Sequence, residues 1–104
     1  MIYEERNYSF APANFRRFLQ VFEAEGLALT RAHLGLLVAY FTTETGELNT
    51  AVHIWAFEDF ADRERRRTAL WSDPAWLTYA DKVLPWILRM ENRLLKPTAF
   101  SPLR

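Results

Sequence analysis

The chain has 104 residues, half of them apolar and 15% aromatic, with 13 basic and 13 acidic side chains and no cysteine. That is enough apolar material for one packed domain and too much for a disordered chain. The cancelling charges provide no general field to draw in nucleic acid or an anionic membrane. The missing thiols exclude disulfides and leave the usual zinc ligand sets incomplete.

Residues 2–9, IYEERNYS, suit a first strand. One face carries Ile2, Glu4, Arg6 and Tyr8; the other carries Tyr3, Glu5, Asn7 and Ser9. Neither is apolar throughout, so periodicity does not choose which one meets a core. Pro12 fits a first helical turn. From there Phe15, Phe18, Leu19, Phe22 and Leu29 keep helical spacing, opposite Arg16, Arg17, Gln20 and Glu23. Gly26 interrupts this pattern at a cost of ~1 kcal/mol relative to alanine. A kink or short break is expected there, with the helix continuing to about His33 and stopping at Gly35. His33 then lies beside the last helical carbonyls.

Residues 36–57, LLVAYFTTETGELNTAVHIWAF, read as two long strands joined by a polar turn containing Gly46. Along the second strand Val52, Ile54 and Ala56 share one face, and His53, Trp55 and Phe57 the other. Both faces are largely apolar, so something is expected to cover each. Asp59 is a good N-cap for a helix over FADRERRRTALW, only partly buried through Phe60, Leu70 and Trp71. Ser72 or Asp73 caps a further helix with Pro74 at its start and a stripe of Trp76, Tyr79, Ala80 and Val83. Pro85 ends that helix, ILRMENRLLK makes a last strand stopped by Pro97, and the tail TAFSPLR is expected to lie along a surface.

The order is β-α-β-β-α-β, with the second helical part split in two. This predicts a ferredoxin-like α+β domain over residues 1–104, a four-stranded antiparallel sheet with helices on one face. The bare face is expected to carry His53, Trp55 and Phe57. An apolar patch of that size calls for a cover, and a second copy packed sheet to sheet supplies one. A homodimer with a cavity between its sheets follows as the expectation. With no presequence pattern and no apolar run of ~20 residues, a soluble cytoplasmic protein is expected, with no nucleic-acid partner and no membrane span.

Four motifs in order carry a resemblance: Tyr3-Glu4-x-Arg6-x-Tyr8, the hairpin GLLVAYFTTETGELNTAVHIWAF, the segment SDPAWLTY, and MENRLLKP followed by Phe100-Ser101-Pro102. Over nearly its whole length the chain resembles the NIPSNAP family of the dimeric α/β-barrel class. The resemblance implies the ferredoxin-like subunit and the dimer, and a bare, bacterial-type domain of unsettled molecular function. It departs from the family at Glu5, where an aliphatic residue is expected.

The candidate ligand-binding residues are Glu4, Arg6, Tyr8, His53, Trp55 and Asn92. Glu4, Arg6 and Tyr8 place a carboxylate, a fork of donors and a phenol along one strand face, a set able to bind a small acid or polarise a carbonyl. The plainer alternative is a structural ion pair. His53 is the candidate base or ligand anchor, against a buried histidine that is simply paired. On the last strand Asn92 is preferred over Arg93 for the interior, because Met90 and Leu94 share its face. Arg63, Arg65, Arg66 and Arg67 read as a solvated helix surface, with Asp62 pairing to Arg66. His33 and His53 form no metal-binding pattern. The leading functional reading is a homodimeric module binding a small apolar or aromatic ligand without a cofactor. The alternatives are a cofactor-independent monooxygenase-like enzyme with His53 as base, a haem-handling protein with a histidine as iron ligand, and an interaction scaffold.

Overall fold

The computed structural model of the protein describes all residues, 1–104. Strand β1 (Ile2–Phe10) leads into α1 (Pro12–Val21), a π-helical turn (Phe22–Gly26) and α2 (Leu27–Leu34). The hairpin β2 (Leu36–Thr42) and β3 (Thr50–Phe57) follows, then α3 (Phe60–Trp71), α4 (Pro74–Val83), a 3₁₀ turn (Leu84–Trp86) and β4 (Ile87–Leu95). The four strands form one antiparallel sheet in the order β2-β3-β1-β4, the ferredoxin-like arrangement. No helix is long and apolar enough to cross a membrane.

At Gly26 the helix changes its hydrogen bonding and does not break: the Leu27 N–H donates to the Phe22 carbonyl, five residues back. A glycine is required there for space. A Cβ would lie 2.6 Å from the Tyr79 ring, so α4 packs directly on this turn. Gly35 stops α2 with φ of 86°, as a left-handed position demands. Asp59 caps α3 by accepting from the Asp62 N–H at 2.7 Å, and Asp73 caps α4 by accepting from Ala75 N–H at 2.9 Å. His33 does not rest on its own helix end. Its Nε2 meets Asp73 at 2.8 Å and ties the end of α2 to the start of α4.

The helices cover one face of the sheet, and that face is the one carrying Ile2, Glu4, Arg6 and Tyr8 on β1 and His53, Trp55 and Phe57 on β3. Trp55 and Phe57 pack with Leu34 and Leu70, and Phe10 with Phe18, Ala51, Tyr79 and Val83. The expectation that His53, Trp55 and Phe57 occupy the bare face is thereby corrected. A two-residue period fixes which side chains share a face but carries no information on which face the helices choose. The chain's own helices cover the large apolar patch. The open face instead carries Val52 and Ile54 beside a polar network in which Glu5 meets Arg93 at 2.8 Å and Glu47 meets Arg89 at 2.7 Å. Glu5 is thus a paired residue of the open face. The tail closes on itself through Ser101 N–H to Thr98 O and leaves Phe100 88% exposed, not laid along a surface.

Candidate functional site

Strand register builds a row of polar side chains across the helix-covered face. Arg6 lies opposite His53 on one side and opposite Asn92 on the other. His53 in turn lies opposite Tyr40. The register between β2 and β3 shifts by one residue between Leu37 and Ala39. This bulge lets both Leu37 and Tyr40 face inward, where strict alternation would have turned Tyr40 out. The Tyr40 and His53 rings stack, with centroids 4.6 Å apart and planes 14° from parallel, and Tyr8 meets His53 edge-on at 4.9 Å.

Glu4 is the anchor beneath this row. It is 1% exposed, and its Oε2 accepts from Arg6 at 3.0 Å, Arg63 at 2.8 Å and Asn92 at 2.7 Å. Burial by itself would raise the carboxyl. The bonds from Arg63 and Asn92 and the Arg6 cation overcome it and hold the pKa at about 2, against an ordinary 4.5. Arg6 spends its remaining reach on Tyr8, donating from Nε to the phenol oxygen at 2.8 Å.

His53 is fixed in one protonation state and one tautomer. Burial first, then the Arg6 cation, push its pKa from 6.5 down to about 3, so the ring is neutral at physiological pH. The Trp55 indole N–H donates to Nδ1 at 2.8 Å. A neutral imidazole has one N–H, so the proton must sit on Nε2. That Nε2–H is buried and has no partner in the chain.

Between the sheet and the helices lies a cavity of about 250 Å³, and 15 of its 19 lining residues are hydrophobic. Arg6, Tyr8, His53 and Trp55 line it; Glu4 and Asn92 stand behind Arg6 and do not. The structure therefore brings the six sequence candidates onto one face and four of them to the cavity. The cavity is bounded by the sheet and helices of a single chain, so the candidate residues that line it face the chain's own helices and not a second sheet.

Two residues read as solvated turn inward. Arg63 reaches Glu4, and Arg67 lines the cavity. The sequence does hold a signal: Phe60, Arg63, Arg67 and Leu70 fall at helical spacing on one stripe of α3, and a long basic side chain can follow such a stripe inward. Arg65 and Arg66 do pair with Asp62 on the outer side, Arg66 at 2.9 Å. Tyr40 and Trp76 also line the cavity, and each has a buried polar atom without a partner.

These features define an α+β protein of the ferredoxin-like class with an apolar site walled by its own sheet and helices. The chain belongs to the NIPSNAP family, whose profile matches residues 3–102. A NIPSNAP family protein with unknown function from Agrobacterium tumefaciens is 43% identical, with a TM-score of 0.96 over all of this chain and 94% of the other. A NIPSNAP-like domain protein from Burkholderia xenovorans is 47% identical, with a TM-score of 0.92 over 97% of this chain and 88% of the other. Protein NipSnap of Drosophila melanogaster is 32% identical over 97% of this chain but only 36% of the fly protein. The chain thus spans about a third or less of the curated relatives it matches, down to 19% for a Caenorhabditis elegans protein. An antibiotic biosynthesis monooxygenase shares the fold, with a TM-score of 0.64 at 12% identity.

Proposed function

We propose that this chain is a small-molecule-binding module that holds a compact apolar or aromatic ligand in the cavity between its sheet and helices. One observation carries the reading. The Tyr40 hydroxyl, His53 Nε2 and Trp76 Nε1 are all buried, all unpartnered, and all belong to residues lining the same apolar cavity. Buried polar groups are rarely left unpaired, and three around one hollow are the pattern a bound ligand would complete. The volume lies below the ~300–1,000 Å³ of drug-sized sites, which favours a single ring or a short chain.

An enzyme using His53 as base has less support. Nδ1 is occupied by Trp55 and Nε2 already carries the proton, so His53 is built to donate a hydrogen bond. A haem-handling role has the same obstacle, and the cavity is small for a macrocycle. The dimer belongs to the same proposal, now on different residues. Leu36 and Phe41 stand 57% and 55% exposed, on the open sheet face that also bears Val52 and Ile54. We place the module in the cytoplasm as part of this reading.

Native mass spectrometry of the purified protein tests the ligand. A consistent small extra mass, lost in Ala80→Phe with an unchanged circular dichroism spectrum, is the expected result. Ala80 is buried and lines the cavity, so the larger side chain fills it. An empty protein that takes up no small aromatic compound refutes the module and leaves the interaction scaffold. Light scattering at low micromolar concentration should give a dimer for the native chain and a monomer for Ile54→Lys; a native monomer refutes the assembly.

A further inference from the structure

Charge around the cavity does not balance. Glu4 takes Arg6 and Arg63, and Arg63 also meets Glu64 at 2.6 Å. Two carboxylates therefore serve these two guanidinium groups. Arg67 lines the cavity with no hydrogen-bonded or ion-paired partner, and burial followed by the neighbouring Arg6 cation depresses its pKa. No aspartate or glutamate lines the cavity at all. The site as folded holds one uncompensated positive charge, and its unpartnered buried groups include the fixed N–H donors of His53 and Trp76.

Resting on the pocket reading above, we infer that the ligand is a compact apolar monocarboxylic acid, whose carboxylate is countered by Arg67 and accepts the Nε2–H of His53. An anion removes the unpaired charge and satisfies the orphaned donor together, and the aromatic and aliphatic wall takes the body of the molecule. A cation would meet only Arg6 and Arg67. A neutral ligand would leave Arg67 as it is, half-buried and alone.

Calorimetric titration with benzoate and octanoate against benzamide and octanamide decides the question. In the native chain the better acid should bind at least about tenfold tighter than its own amide, the factor that a charge-assisted bond supplies. In Arg67→Met that advantage should fall below about threefold while amide affinity is kept. Arg16→Met, on the exposed side of α1, should behave as the native chain. Amides that bind as well as acids overturn the acid assignment, and an acid preference that survives Arg67→Met overturns the Arg67 contact; either result leaves the pocket reading standing. No binding of any of the four compounds overturns both.

Discussion

Replacing Glu4 by glutamine removes the one anion that holds β1, β4 and α3 together. The carboxyl titrates at about 2 in the folded chain against an ordinary 4.5. At ~1.4 kcal/mol per pH unit, that difference is worth about 3 kcal/mol of stability. Because the folded pKa is depressed, the contribution is complete above pH ~4.5 and is lost as pH falls from there through about 2. The Glu4→Gln change keeps the shape but leaves Arg6 and Arg63 without this counter-charge, a loss in the range of ~3–5 kcal/mol for a broken buried pair. Urea unfolding of both proteins at equal concentration is the assay, at pH 7 and then in steps down to pH 2.5. The variant should be less stable by about 3 kcal/mol at pH 7, with the gap closing as the native chain loses its advantage in acid. A gap under about 1 kcal/mol at neutral pH, or one of constant size down to pH 2.5, would refute the electrostatic account of the anchor.

Gly26→Ala should destabilise by about 1–3 kcal/mol in the same assay, because the new methyl meets the buried Tyr79 ring at 2.6 Å. That cost opposes the ~1 kcal/mol that alanine gains in an open helix, so a stabilised variant would mean that α4 does not press on this turn. Asp59→Ala removes the α3 cap and should cost about 1 kcal/mol, read as a lowered urea midpoint with unchanged slope. Arg67→Met, in the absence of ligand, should raise the melting temperature, since it removes an inward cation that has no partner; a lowered melting temperature would place a hidden partner beside Arg67.

The elements and their ends are legible in the sequence because they rest on local chemistry. Asp59, Asp73, Pro74 and Gly35 mark boundaries through caps and backbone conformation, which act within a few residues. The choice of sheet face is not legible, because it depends on partners far away in the chain. Glu4 reads equally as a ligand contact or as half of an ion pair until Arg63, 59 positions later, and Asn92, 88 positions later, are seen to bind it. Neither face of β1 alternates well for the same reason: its inner face is built from a polar network and not from aliphatic side chains. The Tyr40 position needs the register shift near Val38, which no hydrophobic pattern announces. Arg67 escapes a sequence reading because charge usually outweighs position when a helix face is judged, and here position prevails.

The Trp55–His53 bond has a consequence for how this molecule meets acid. A histidine in a binding site is ordinarily the part that answers to pH between 5 and 8. Here a strand neighbour two residues away occupies one ring nitrogen and so leaves the single proton on the other, while burial keeps the ring from taking a second. Glu4 stays ionised well below that range, and burial raises the Tyr40 and Tyr79 hydroxyls above it. The cavity presents an unvarying set of donors, a fixed reference against which the acid proposed above would titrate. Any pH dependence of occupancy in the mildly acidic range therefore belongs to the guest, and its midpoint reads out the guest's own pKa.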